Sequence, residues 1–492
     1  MFTAREDVVH EQQSPNGGGD SGLFEQVEGP FSTYSRRVVD DGETLTQTID
    51  YRLIIPWFGI LFALPMRRAL SRPKATRRQG AQPWWAPPDR LDSRQALLLG
   101  LLAAAAMSGA FTNTLFTQTA TFVTKDFGIS NSGQGAGGVF VRAGIVFAMP
   151  LAFMADKVGR RKMIVLASWL APTIAALGAF APNYPTLVAT QTVARPMSIA
   201  LELLCAIAAT EEMPRNSRAY ALSVMAMASG LGAGIAVFGL RLADLGAGGW
   251  RYVYLLALIW VVVAIDLQRR LPETRRYEAV HTIAPPINRM RLGQMATVAF
   301  FGNMFIAPAS FFQNNYLKNV RHMNAAQISN FTLGTNTPAG LGLVVGGRLA
   351  DTYGRRRIIA LLGPASVALL IWSFSVGGVG LWLGAFGAGL LGGAAYPAFA
   401  VYRTELFPTG NRGRAAGIIT AAGLMGGSAG IFVAGRLLDH DWSYSQVMGL
   451  MAVGQVIAIG LILLRYPETA HKDLDELNPE PVSENEHRPS SP

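Results

Sequence analysis

Asp156-Lys157-Val158-Gly159-Arg160-Arg161 and Asp351-Thr352-Tyr353-Gly354-Arg355-Arg356 are one stretch written twice, 195 residues apart (351 − 156 = 195). Three further pairs keep nearly the same register. Glu211-x-x-Pro214-x-x-x-Arg218 returns as Glu405-x-x-Pro408-x-x-x-Arg412, with 405 − 211 = 194. Arg241-Leu242-x-Asp244 returns as Arg436-Leu437-x-Asp439 (436 − 241 = 195), and Pro272-Glu273-Thr274 as Pro467-Glu468-Thr469 (467 − 272 = 195). Chance matches do not share an offset, and each pair borders a long apolar run. The pattern is that of a duplicated bundle of apolar helices, two halves built round a central site.

Composition agrees. The chain has 492 residues, of which 50% are hydrophobic and only 15% charged, with a mean hydropathy of +0.27. The charges cluster, leaving runs of about 20 residues that can cross a bilayer. The net charge of +10 could suggest nucleic acid. The Arg and Lys instead fall in short segments between apolar runs, the pattern that orients membrane proteins, so no nucleic-acid partner is expected. The single cysteine, Cys205, excludes an intrachain disulfide. The N-terminus lacks a signal-peptide pattern.

Twelve helices are predicted, near 94–122, 133–155, 161–181, 184–209, 219–244 and 251–269, then 293–317, 327–350, 357–376, 379–402, 413–438 and 444–465. The fold class is an all-α membrane protein of two six-helix pseudo-repeats with a short N-terminal extension. The domains are 1–91 (extension), 92–276 (first bundle), 277–292 (linker), 293–470 (second bundle) and 471–492 (disordered tail). Links 2–3, 4–5, 6–7, 8–9 and 10–11 carry the arginines, while links 3–4 and 9–10 have no Lys or Arg. That bias places both termini in the cytoplasm of a plasma (inner) membrane protein.

The extension reads differently. Ser14 to Ser21 is polar and glycine-rich, with a disordered composition. Leu45, Ile49, Tyr51, Leu53 and Ile55 share one parity, and Thr46, Thr48, Asp50 and Arg52 the other, which predicts a strand with one buried face. Tyr34 to Val39 can pair back on it as a hairpin. Leu53 to Pro65 is apolar but too short to span, consistent with an amphipathic, interfacial helix. Gly29-Pro30-Phe31 through Arg67-Arg68 resembles the end of a START-like, polyketide-cyclase-type domain, most of which would be missing.

The repeated motifs resemble the major facilitator superfamily over about residues 92–470. Gly347-Arg348-Leu349-Ala350-Asp351-Thr352-Tyr353-Gly354-Arg355-Arg356 matches its loop signature in full, and the first copy departs once, at Ala152. Glu405-Leu406-Phe407-Pro408-Thr409-Gly410-Asn411-Arg412 and Pro272-Glu273-Thr274-Arg275 are similar to the sugar-porter and metabolite:proton symporter branches. Gln313-Asn314-Asn315 near the end of helix 7 does not reproduce the sugar-binding glutamines, so sugar specificity does not follow. The resemblance implies that Asp156, Gly159, Arg160, Glu211, Glu212, Arg218, Gly347, Asp351, Gly354, Arg355, Glu405 and Arg412 form charge networks that lock the cytoplasmic side. Simple orientation by positive charge is the competing explanation. The glycine-rich runs 229–234 and 423–430 read as helix packing, since no strand precedes them as in a phosphate loop.

Charges deep within the helices carry the functional signal, because each is costly in hydrocarbon and needs a partner or a wet cavity. Arg142 lies in helix 2, and Arg195 and Glu202 lie seven apart on one face of helix 4. A structural Arg195–Glu202 bridge is the bland alternative. In the superfamily helices 1, 4, 7 and 10 line the cavity, so Asn113, Thr117, Gln118, Asn303, Asn314 and Tyr396 are candidate contacts, although interhelical bonding is the commoner fate of such groups.

No nucleotide-binding motif, metal site or cofactor is expected, and no enzymatic activity. The expected partners are the bilayer, a small solute and protons, with no obligatory protein partner and a monomeric state. The expected function is proton-coupled secondary transport of a small organic solute, anionic because two deep arginines face one glutamate. A proton-driven exporter of amphipathic compounds and a non-transporting sensor remain open alternatives.

Overall fold

The computed structural model describes residues 4–14, 21–40, 44–71, 83, 86–87, 89–144, 154, 158–214, 217–273, 287–407 and 412–468. Asp156, most of the 277–292 linker and the tail from 471 fall outside them. So do the side chains of Glu211, Arg218, Asp351, Glu405 and Arg412.

Among the described residues the membrane part shows twelve long helices: α2 (Ser93–Asp126), α3 (Asn131–Ala143), α4 (Arg160–Leu177), α5 (Tyr184–Glu212), α6 (Arg218–Gly239), α7 (Trp250–Arg270), α8 (Arg289–Asn319), α9 (Ala325–Tyr353), α10 (Arg355–Ser373), α11 (Gly378–Glu405), α12 (Arg412–Leu438) and α13 (Tyr444–Arg465). Among the described residues, ten helices are long and apolar enough to cross a bilayer. Their ends follow local chemistry. Asp92, Asn324 and Ser443 each form a reciprocal capping box with the glutamine three residues on, which satisfies orphan N–H groups at the starts of α2, α9 and α13.

The two Asp-x-x-Gly-Arg-Arg turns are built alike. Gly159 and Gly354 take φ values of 106° and 93°, a region L side chains rarely enter. A glutamate from the Pro-Glu-Thr motif closes over each. Glu273 accepts from Arg161 N at 3.1 Å, and Glu468 accepts from Arg355 N and Arg356 N at 2.9 and 3.1 Å. A carboxylate at a helix N-terminus satisfies free N–H groups and opposes the helix dipole. The last motif of each half therefore caps that half's third helix. A Cβ on Gly354 would sit 2.9 Å from Glu468 Oε2, so a larger residue would strain the backbone and push on the capping carboxylate.

The glycine-rich runs lie at helix contacts. Gly232 of α6 packs on the Met107 carbonyl of α2, and Gly426 of α12 on the Phe300 carbonyl of α8. Both are repeat positions (426 − 232 = 194), where only a missing side chain allows the backbones so close.

The extension is more than the hairpin its sequence suggests. Strands β1 (His10–Gln13), β2 (Ser21–Glu28), β3 (Phe31–Asp40) and β4 (Leu45–Leu53) form an antiparallel sheet in the order β1-β2-β3-β4, followed by α1 (Gly59–Leu70). The parity of β4 holds for Ile49, Tyr51 and Leu53, which are half-buried, while Leu45 at its start is exposed. Val8, Val9, Phe31, Tyr34, Met66 and Leu70 form its core. Within it, the Glu11 carboxylate accepts from Arg36 Nη2 at 2.6 Å, Tyr34 Oη at 2.5 Å and Arg5 N at 2.7 Å. Burial and the adjoining carboxylate push the Tyr34 phenol up. Arg5 reaches on to the Ala69 and Leu70 carbonyls, tying the end of α1 to the sheet. These strands went unread because β1 and β2 carry Glu and Gln on both faces, leaving no clean alternation.

The extension docks on the basic, arginine-rich end of the first bundle. Ser93 Oγ donates to the Gly29 and Phe31 carbonyls, Trp57 Nε1 donates to Asp266 Oδ2 at 2.9 Å, and Asp89 N to Ser217 Oγ at 2.9 Å.

Candidate functional site

The deep charges meet at mid-depth. Gly109 of α2 packs against Ser198 O and Glu202 Cγ of α5. The two helices run antiparallel, so Asn113, about 6 Å further along α2, stands level with Arg195, about 4.5 Å further along α5. Gly144 at the end of α3 touches the Thr192 carbonyl and Pro196 of α5, which brings Arg142 to the same layer. Arg142 and Arg195 are close enough to interact electrostatically. Across the halves, the space a Cβ would take on Gly427 of α12 is bounded by Arg142 Nη1 at 3.0 Å and Ala307 Cβ of α8 at 2.9 Å. Asn303 of α8 borders the same face of α12, with its Nδ2 next to Gly423 and donating to the Ala299 carbonyl at 2.9 Å. Arg142, Arg195, Asn113 and Asn303 thus come from four helices in both halves.

Glu202 is near enough to Arg195 to interact with it electrostatically but forms no ion pair with it. Among the described residues, no carboxylate comes within 4.0 Å of either deep arginine. Seven residues along a helix is about 10.5 Å, too far for a bridge within α5. The Glu202 carboxylate turns instead into the first bundle, over Gly109 and towards α6, where Ser229 Oγ donates to Oε2 at 3.3 Å. Its Oε1 is buried without a hydrogen bond among the described residues, as is Asn113 Oδ1. An unsatisfied buried carboxylate oxygen is costly unless a proton or water meets it.

Other candidates are placed elsewhere. Asn314 Nδ2 donates to the Gln118 carbonyl at 2.8 Å and to its Oε1 at 3.1 Å. These two residues join α2 to α8 near the end opposite the arginine-rich turns. Thr117 is half-buried on α2, and Tyr396 is exposed on α11 with no hydrogen bond to a described residue. Of the predicted lock, Glu212 is buried with its carbonyl accepting from Gln95 Nε2 at 3.1 Å, and Arg355 is buried at the start of α10.

The far end holds a feature the sequence did not assign. Asp439, after α12, accepts from Asn131 N and Ser132 N at 3.0 and 2.8 Å, at the start of α3 in the other half. Asp244, after α6, accepts from Ala325 N and Ala326 N at 2.8 and 2.9 Å, at the start of α9. The donors are repeat mates (325 − 131 = 194), as are the acceptors. Each half therefore caps a helix of the other with the last residue of its Arg-Leu-x-Asp motif. Nearby, Asn315 Nδ2 donates to Gln134 Oε1 at 2.8 Å and Asn131 Oδ1 at 3.1 Å, and Arg241 Nη2 donates to Asn330 Oδ1 at 2.5 Å. Several hydrogen bonds that join the halves gather here. The signal was the repeated motif itself, which lacked only its cross-half target.

A family profile described as Major Facilitator Superfamily matches residues 97–329 and 293–489. The chain belongs to the Major Facilitator Superfamily. It is accordingly a multi-pass membrane protein of a family that moves solutes and is not enzymatic. A curated relative, the "Cis,cis-muconate transport protein" of Acinetobacter baylyi, is 26% identical over 236 residues, which are 44% of this chain and 53% of that protein. The chain thus matches about half the length of that relative. Among solved structures, a D-xylose-proton symporter aligns with TM-score 0.64 at 17% identity, covering 76% of this chain and 98% of that one. A bacterial homologue of the human lysosomal transporter Spinster gives 0.62 at 16%, covering 75% and 96%. The human organic anion transporter MFSD10 gives 0.58 at 15%, covering 77% and 100%. At these identities the likeness is one of fold.

Proposed function

We propose that this chain is a secondary transporter that carries a small organic anion across the plasma membrane by alternating access, coupled to protons, as a monomer with both termini in the cytoplasm. One observation carries the reading. Arg142 and Arg195 share a mid-depth layer between the halves with no carboxylate in ion-pairing range among the described residues. A buried cation calls for a counter-ion, and a guanidinium fork suits a carboxylate. The curated relative named for transport of muconate, an organic anion, is in keeping with this.

Glu202 is the proton site in this reading. It sits two turns along α5 from Arg195 on the same helix face, without a direct bridge, so it senses the layer through the charge of Arg195 and through the packing of α2, α5 and α6. The motif residues Asp156, Asp351, Glu211, Glu405, Arg218 and Arg412 close the cytoplasmic side, alternating with the cross-half caps at the far end. Counterflow in proteoliposomes with pooled carboxylates, cations and neutral sugars tests the reading. Exchange of carboxylates is expected. Exchange restricted to cationic or neutral solutes, or no exchange at all, refutes it.

A further inference from the structure

Between the extension and the first bundle lies a crevice of about 210 Å³. One wall is Phe58, Leu61, Phe62 and Met66, and the other includes Val224 and Met227 of α6. Its lining is almost entirely apolar. It also reaches Ala103 of α2 and Leu231 of α6. Counted from the basic ends of those helices, that is about 15 and 20 Å along their axes. The crevice therefore descends from headgroup level into the depth of one leaflet, within a hydrocarbon core about 30 Å thick. Its rim residues Leu61 of α1 and Met227 and Leu231 of α6 are exposed.

Helix α1 supplies the other half of the argument. Ile60, Leu61 and Leu64 are 89%, 64% and 56% exposed, an apolar strip left uncovered among the described residues. Arg67 and Arg68 lie seven residues beyond Ile60 and Leu61, hence on the same face. Both are exposed, and neither guanidinium bonds a described residue. An apolar strip ending in two cations is the pattern of a helix lying in the interface of an anionic leaflet. The crevice opens beside that strip.

We propose that the crevice binds one acyl chain of an anionic phospholipid from the leaflet at the basic end, with its headgroup on Arg67 and Arg68. The apolar lining selects the chain, and the paired arginines select the charge. Lipid would then hold the extension against α2 and α6.

The test is native mass spectrometry of the full-length protein in detergent, titrated with dioleoyl phosphatidylglycerol or dioleoyl phosphatidylcholine. A single saturable phosphatidylglycerol adduct is expected, with phosphatidylcholine retained much more weakly. Each arginine near an anionic surface is worth about fivefold, so Arg67→Ala with Arg68→Ala should weaken the adduct by about thirtyfold. Val224→Phe, which fills the crevice, should abolish it. Should that variant not fold, Leu61→Trp on the exposed rim provides the same block. Equal retention of both lipids, undiminished binding in the double arginine variant, or an adduct that survives a filled crevice each overturns the proposal.

Discussion

The cross-half caps predict a conformational shift that can be measured. Replacing Asp244 and Asp439 by alanine removes four hydrogen bonds from backbone N–H groups, two at each helix start. Ser130 and Asn324 remain as N-caps, so what is lost is each carboxylate's charged hydrogen bonding to the next two N–H groups, about 1.5 kcal/mol at the low end for a bond to a charged group. Each cap then contributes about 1.5 kcal/mol and the pair about 3 kcal/mol, an open-to-closed ratio raised roughly 150-fold at the far end. Because both caps cross between halves, this energy is lost only when that end parts, and the fold of each half is spared. Spin labels at exposed Lys125 and Asn319, on a Cys205→Ser background, report the separation by double electron–electron resonance. A longer-distance population should grow in each single variant and dominate in the double. An unchanged distance distribution in the double variant would refute the reasoning, as would unfolding of either single variant at the growth temperature. The Asp439 cap should resist mild acid. Burial acts to raise the Asp439 carboxyl, but donation from Ser132 and Asn131 outweighs it and holds it below the ordinary carboxylate range. A depressed carboxyl keeps its stabilising charge until pH falls through that lowered value, so this cap should persist at pH 5.

Further predictions follow from the site and the turns. Arg142→Lys and Arg195→Lys should each lower uptake of the same carboxylate tenfold or more, since an ammonium cannot reproduce bidentate contact; loss of uptake in only one of the two would separate their roles. Glu202→Gln should exchange substrate in counterflow yet fail to concentrate it under an imposed pH gradient, and accumulation by the purified variant would remove Glu202 as the proton site. Gly354→Ala should destabilise the second half by about 1–3 kcal/mol, because its φ of 93° strains a Cβ and Glu468 occupies the space; a melting temperature equal to that of the parent protein would contradict this. Asp351→Asn should increase labelling of cavity cysteines from the cytoplasmic side, and unchanged labelling would count against the lock.

Much of the architecture was legible because membrane helices announce themselves. Twelve apolar runs and a fixed offset near 195 imply two halves, since hydrocarbon admits few structures beyond a helix that satisfies its own backbone. The positions of the deep charges were legible for the same reason. Their partners were not. Arg195 and Glu202 share a helix face in projection, yet Glu202 turns towards Ser229 and Gly109, a choice made by the packing of α2 and α6. Asn314 and Gln118 read as cavity residues until the structure paired them with each other. The extension was misjudged for a different reason, because the buried Glu11–Arg36 pair puts charges where the core of a strand should be apolar.

By itself, then, the sequence determined what is local or periodic: helix number, the duplication, the glycines at positive φ, and a membrane-spanning class. Tertiary structure alone decided what depends on bringing distant segments together. It placed Asp439 on the start of α3 and Asp244 on the start of α9. It set Glu273 and Glu468 over their glycine turns, and it opened a crevice beneath α1. The physical reason is the difference in range. A helix is specified by spacing within a turn or two, whereas a cap supplied from some 80 or 300 residues away is specified only by how the two halves pack.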